Sequence, residues 1–254
     1  MGGVGNLERE WGEFLMAEYL AKSEDLTAVA DAIRAKGGTD AQLTFPDGFV
    51  SAVQAITTGG GDLLAARVTN TLTTYSNATI TRVTDCGFAD CTALVSVDLP
   101  AVTHIKSQGF ARCTNLESIN FPMLVSIGNN CFRNCAKLTE FVTGSHFDSR
   151  IDQSTFEGCK ALTKVDFHHV NKQGFNGYSM ACANLITLVI RNVDAVPPMT
   201  TTYTFGAATT KMNKGEGYIY VPATMVAAYK AATNWAKFAD QIRAIEDYPG
   251  ITGG

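Results

Sequence analysis

The chain has 254 residues with 24 Asp and Glu against 20 Lys and Arg, a net charge of -4 and a pI near 5.6, so it offers no electrostatic footprint for nucleic acid or an anionic membrane. Charged residues make up only 17%, against roughly 25% in an average soluble domain, which leaves Thr, Ser and Asn to build the polar surface and favours β structure. No apolar run reaches the roughly 20 residues that span a bilayer, and the amino terminus mixes Glu, Arg and Lys with its apolar residues, so membrane insertion and secretory export are not expected and the seven cysteines are read as thiols.

In chain order, Ser23 is placed to cap a helix with Glu24 and Asp25 in its first turn. Leu26, Val29, Ala30 and Ile33 lie on one face, and Gly37 and Gly38 stop it. "FPDGFVSAVQAI" follows as a turn and a second helix with Phe49, Val53 and Ile56 in line. Residues 1–58 thus form a helical module, tethered by the Gly-rich start of a linker over 59–79 that leads to the edge of the next domain. The segment "LTAVADAIRAKGGTDAQLTFPDGFVSAVQAI" resembles amino-terminal modules of tail-associated and other virion proteins of phages and prophages of Firmicutes. The resemblance begins at "MAEYL", which makes Met16 a candidate start and "EREWGEFL" a candidate read-through of a ribosome-binding region.

Residues 80–192 carry a repeat. "CTAL" at 91, "CTNL" at 113, "CAKL" at 135, "CKAL" at 159 and "CANL" at 182 recur every 22–24 residues. Phe88, Phe110, Phe132 and Phe156 each stand three residues before a cysteine, and Tyr178 takes the aromatic place before Cys182 with one extra residue. Val83, Ile105, Ile127 and Ile151 stand five before each Phe, with Val170 in the same relation to Phe175. The unit reads [IV]-x4-F-x2-C-x2-L-x2-[VI]-x-[LF]. One unit cannot bury its own apolar face, so the units must stack, and each repeat cysteine becomes a small, soft rung between Phe and Leu. Cys86 and Cys131 lie off this ladder, and neither has further ligands at zinc spacing.

The unit resembles the BspA-like class of leucine-rich repeat, found in bacterial and protist surface proteins. The resemblance implies a mainly β fold with helical ends: a solenoid of about five 22–24-residue coils, each with a short strand over L-x2-[VI]-x-[LF]. Period-two alternation at Val97-Asp98-Leu99 and its equivalents predicts the same strand. Residues flanking the inward position then face outward, so Ser96 and Asp98, Ser118 and Asn120, Glu140 and Val142, Lys164 and Asp166, and Thr187 and Val189 form the candidate binding face. "GSHFD" reads as a loop inserted in coil four, and "PPMTTTYTFGAATT" as a surface excursion. Residues 193–254 close the stack as an α/β cap: a strand at Tyr218–Val221, a Pro-initiated helix with Met225, Tyr229 and Ala232 in line, and a last segment with Trp235, Phe238, Ile242 and Ile245.

Chemistry is sparse. "GYSMA" outlines a nucleophile elbow without its last Gly and falls at a turn of the repeat, while His168 and His169 are adjacent in a strand and point apart. No catalytic residue, metal or cofactor is expected. Two functions compete: a non-enzymatic virion or tail-associated protein, assembled in the bacterial cytoplasm, and a cell-surface or secreted BspA-like adhesin. In the first, residues 1–58 bind other virion proteins and the repeat face binds a protein or glycan on a host cell. Neither takes nucleic acid as a partner, and both are compatible with a homo-oligomer.

Overall fold

The computed structural model describes residues 70–252. Met16, the helices expected within 1–58 and the start of the linker lie outside the described residues.

The chain coils as a β solenoid of about seven turns with few helices, rather than the five coils counted from the cysteines. Its first strands are β1 (Thr74–Ser76), β2 (Arg82–Val83), β3 (Ser96–Asp98), β4 (His104–Ile105), β5 (Ser118–Asn120) and β6 (Ser126–Ile127). They are followed by β7 (Glu140–Val142), β8 (Ser149–Ile151), β9 (Lys164–Phe167), β10 (Val170–Phe175), β11 (Thr187–Ile190), β12 (Tyr218–Val221) and β13 (Ile242–Ala244). All pair in parallel, each with its counterpart one coil away, in the orders β1-β3-β5 and β7-β9-β11-β12-β13 on one face. A second face is built from β2-β4-β6 and β8-β10.

Between the two faces lies the core. Val97, Phe141, Val165, Leu188, Ile219 and Ile242 point in from the first, and Val83, Ile105, Ile127, Ile151 and Phe175 from the second, all buried. The Phe rings stack along the coil axis: Phe88 on Phe110 at 5.0 Å between centroids, Phe110 on Phe132 at 5.6 Å and Phe132 on Phe156 at 5.7 Å, with interplanar angles of 1°, 3° and 3°. The cysteine beside each ring does more than fill space. Cys113 Sγ donates to the Phe88 carbonyl of the coil before at 2.9 Å, Cys135 to Phe110 at 3.1 Å, Cys159 to Phe132 at 3.0 Å and Cys182 to Phe156 at 3.2 Å. A thiol suits this slot because it is small, apolar and still a donor.

Each of the first four coils turns its corners with two residues at positive φ. Cys86, Gln108, Asn130 and Ser154 (53–57°) stand two before the Phe, and Asp90, Arg112, Asn134 and Gly158 (61–77°) two after it. Gly, Asn and Asp take this conformation most readily, so at Cys86, Gln108, Arg112 and Ser154 the ladder of hydrogen bonds imposes it.

The fifth coil corrects the register read from the sequence. Phe175, not Val170, pairs with Ile151, and the backbone N–H of Phe156 donates to Ser179 as that of Phe132 does to Thr155, which puts Met180 in the Phe row in place of Tyr178. The cause is coil width: from Val97 to Ile105 and Ile119 to Ile127 the chain takes the short path, whereas Phe141 to Ile151 and Val165 to Phe175 are two residues longer. The wider coils hold more aromatic volume. Phe147 of the "GSHFD" loop is 1% exposed and stacks on Phe167 at 5.5 Å, so it belongs to the core. "PPMTTTYTFGAATT" is likewise no excursion but a further coil, with Met199 bridged to Phe175, the Met180 N–H donating to Thr204, and Phe205 and Met212 buried.

The end is closed as expected. After Pro222 a 3-10 turn leads into α1 (Val226–Ala231), and a second 3-10 stretch spans Ala236–Gln241. Tyr229, Trp235 and Phe238 are buried; the Trp235 ring meets Tyr229 at 5.2 Å and Phe175 at 5.5 Å, and its indole N–H donates to the Pro197 carbonyl at 2.8 Å.

Three outcomes are expected. Phe132→Ala and Phe147→Ala should each lower stability by about 3–5 kcal/mol in denaturant unfolding, since neither void can collapse between fixed coils. In the native protein only exposed Cys86 should react quickly with iodoacetamide. Raising pH from about 7 to about 10 should not speed modification of Cys159, because burial pushes its thiol up to about 12 and the thiolate stays scarce.

Candidate functional site

Parallel pairing fixes the outward side chains of the first face in rows. Ser76, Asp98 and Asn120 are register partners, as are Thr74, Ser96 and Ser118. Their polar atoms are joined: Ser76 Oγ donates to Asp98 at 3.2 Å and Asn120 Nδ2 to the other Asp98 oxygen at 2.7 Å. This half of the face is small, polar and open, with Asp98, Ser118 and Asn120 exposed and Ser96 half-buried.

The other half differs. Glu140, Lys164, Thr187 and Tyr218 form one row, and Val142, Asp166, Val189, Tyr220 and Arg243 the other. Glu140 and Val142 are exposed, and Lys164 and Thr187 half-buried. Two residues of the expected face are corrected here: Val189 is 0% exposed and Asp166 2%, so neither offers surface. The Arg191 guanidinium closes over Asp166 in a two-pronged pair at 2.9 and 2.7 Å, and the carboxylate raises the arginine above its ordinary range. On the far side of Val189 stands Tyr220, which meets Tyr248 edge-on at 5.3 Å, while Arg243 lies over the Tyr218 ring at 4.9 Å. The sequence held a signal for Tyr218, since its strand was legible, but assigning that strand to a separate cap hid its place in the row.

A polar cleft of about 360 Å³ opens where the wider coils carry their added residues, lined by Asp148, His169, Asn171, Lys172, Gln173 and Asp194. His169 Nδ1 lies 2.9 Å from Asp148 and Nε2 3.3 Å from Asp194, so the imidazole ties the loops of three successive coils. Among the described residues no group of three or more His, Cys, Asp or Glu is placed to hold a metal ion. Ser179 of "GYSMA" is fully buried, and its hydroxyl meets no hydrogen-bond partner, base included.

Parallel strands recurring with an inward Phe-Cys-Leu set are the geometry of a leucine-rich repeat. The profile of the BspA type leucine-rich repeat region matches residues 69–197 in 6 copies, just over half of the chain. The chain belongs to this family. BspA-type and other leucine-rich repeats are generally non-enzymatic binding domains. Among solved structures, the chain is similar to the leucine-rich repeat protein TpLRR of T. pallidum, with 25% identity and a TM-score of 0.41 over 50% of this chain and 59% of that one. It is also similar to a leucine-rich repeat protein of Bacteroides ovatus ATCC 8483, with 17% identity and a TM-score of 0.26 over 64% of this chain and 56% of that one. The match thus spans less than two thirds of either solved chain. No curated protein matches.

Arg191→Met should cost about 3 kcal/mol in unfolding free energy, because it leaves the Asp166 carboxylate buried without its cation. Adding Asp166→Asn should restore much of that loss, and a double-mutant cycle reads the difference.

Proposed function

We propose that the outward strand face recognises a partner on a cell surface and that the chain is the non-enzymatic binding component of a phage or prophage virion, attached through residues 1–58. The observation that carries the recognition role is the polar strand face, with Asp98 and Asn120 in register on β3 and β5 and Glu140 on β7: exposed polar groups on a rigid scaffold, ordered before any partner arrives. Little conformational freedom is left to lose on binding. The virion setting is supported by the resemblance of the amino-terminal segment to tail-associated modules.

The second setting, a bacterial cell-surface or secreted adhesin, is favoured by membership of the BspA-type family and is equally compatible with the repeat domain. In either, the partner is a protein or glycan displayed outside a cell.

Full-length protein, residues 59–254 and an Asp98→Ala, Asn120→Ala, Glu140→Ala variant should be compared for binding to intact host cells. The first two should bind alike and the variant about tenfold more weakly. Binding that follows residues 1–58 would overturn the strand-face assignment. Co-purification of the full chain, but not of residues 59–254, with virus particles would decide for the virion.

A further inference from the structure

Away from the strand face, the corner row that precedes the Phe ladder changes character along the stack. Its first four places are Cys86, Gln108, Asn130 and Ser154; the next two, two residues before Met180 and Phe205, are Tyr178 and Tyr203. Both tyrosines are open to solvent, at 46% and 61% exposure, in a coil stack that buries nearly every other ring between Phe88 and Phe205. Their rings lie side by side along the axis, 6.1 Å apart and inclined by only 27°.

What surrounds them is polar and uncharged. Gln153, Asn176 and Thr200, one on each of three successive coils, are exposed beside the pair. The Thr200 hydroxyl donates to Asn176 Oδ1 at 3.3 Å and accepts from the Gly177 N–H at 3.4 Å, and Asn176 Nδ2 donates to Asp152 at 3.1 Å. This chain orients the Asn176 amide and leaves it one N–H to give. Among the described residues the side-chain amide of Gln153 has no hydrogen-bond partner. The nearby carboxylate, Asp152, is buried and paired with Arg150, so it does not charge the surface. Gly177, at φ 54°, makes the corner in this coil, and a Cβ there would come within 3.2 Å of Gln153 Cγ. The glycine therefore lets Gln153 lie close against the corner that carries Tyr178.

We infer that Tyr178 and Tyr203, with Gln153, Asn176 and Thr200, form a binding site for a neutral glycan. A pyranose carries a patch of C–H bonds with slight positive charge on one face and hydroxyls around its rim. The C–H patch meets the negative face of an aromatic ring, and amides, which donate and accept at once, match neighbouring hydroxyls. A protein partner would call for an aliphatic patch, yet of the other exposed large hydrophobics Val142, Ile186 and Tyr218 lie in or beside the strand face, and Met123 and Val193 stand singly in the turn after β5 and the bend after β11. An anionic sugar would call for an unpaired cation, and Arg150 is held by Asp152. The site is distinct from the Asp98, Asn120 and Glu140 surface, and the two can be tested apart.

The full chain should be titrated by calorimetry with cellohexaose, chitohexaose, maltohexaose and sialyllactose. At least one neutral oligosaccharide should bind, and Tyr178→Ala or Tyr203→Ala should weaken it about tenfold or more, with the thermal midpoint little changed because both side chains are exposed. Gln153→Ala should weaken it severalfold with both tyrosines still in place, a loss that ring removal alone does not explain. The Asp98→Ala, Asn120→Ala, Glu140→Ala variant should bind the sugar as the parent does, even where it loses cell binding. Failure of every neutral oligosaccharide to bind, preference for sialyllactose, or binding indifferent to both tyrosine substitutions would overturn the inference.

Discussion

The bond from the thiols of Cys113, Cys135, Cys159 and Cys182 to the Phe carbonyl of the preceding coil sets the terms for the rest of the fold. A carbonyl inside a solenoid cannot reach water, and the same Phe carbonyl already accepts the N–H of its own coil's cysteine. The thiol occupies its second lone pair without bringing in the desolvation cost of a hydroxyl or amide. With that link repeated at these four rungs, the Phe rings above it hold one pitch and can stack nearly parallel. The strands then have little choice of register, and the outward residues fall into rows.

Coil width is the second constraint. The two residues added from the coil of Phe141 onward enlarge the interior, which fills with Phe141, Phe147 and Phe167. The same added residues carry Asp148, His169 and Asp194 on the outside, so the polar cleft and the aromatic enlargement of the core share one cause. The strand face responds too. Beyond the change of width its rows pass from Ser, Asp and Asn to Val, Tyr and Arg, and the buried Asp166 is tolerated only because Arg191 reaches it.

Much of this was legible in the sequence, for a physical reason: a slot that demands one side chain in every coil leaves a period. Phe and Cys are such slots, so the rungs from Phe88 to Cys159 and the inward strand positions Val97, Ile119, Phe141 and Val165 were legible, whereas the strands of the second face were not. Legibility failed where the slot relaxed. Met180 can stand for Phe because a flexible thioether fills the same volume, and Phe175 can stand for an aliphatic residue because the wider coil has room. The coil containing Met199, Phe205 and Met212 has no cysteine, so nothing marked it as a repeat. The face residues were harder still. Alternation tells which side chains point outward but not which neighbour covers them, and Val189 and Asp166 are covered from Arg191 and Tyr220, outside their own strands.

A stack of coils is also a mechanical object, and the change of width gives it a seam. β5 and β7 are not paired, so across that junction the coil of Phe110 is joined to that of Phe132 through the β4–β6 ladder of the second face and on the corner side. Three backbone bonds from Gln108, Phe110 and Arg112, the ring stack and the Cys135 thiol do the joining there. Load applied along the axis is therefore carried there away from the strand face, whereas one coil on, where β6 and β8 form no ladder, the strand face is paired through β7 and β9 instead. Under tension the molecule would therefore bend at this junction before it unravels, opening on the strand face while the phenylalanine column acts as the hinge pin.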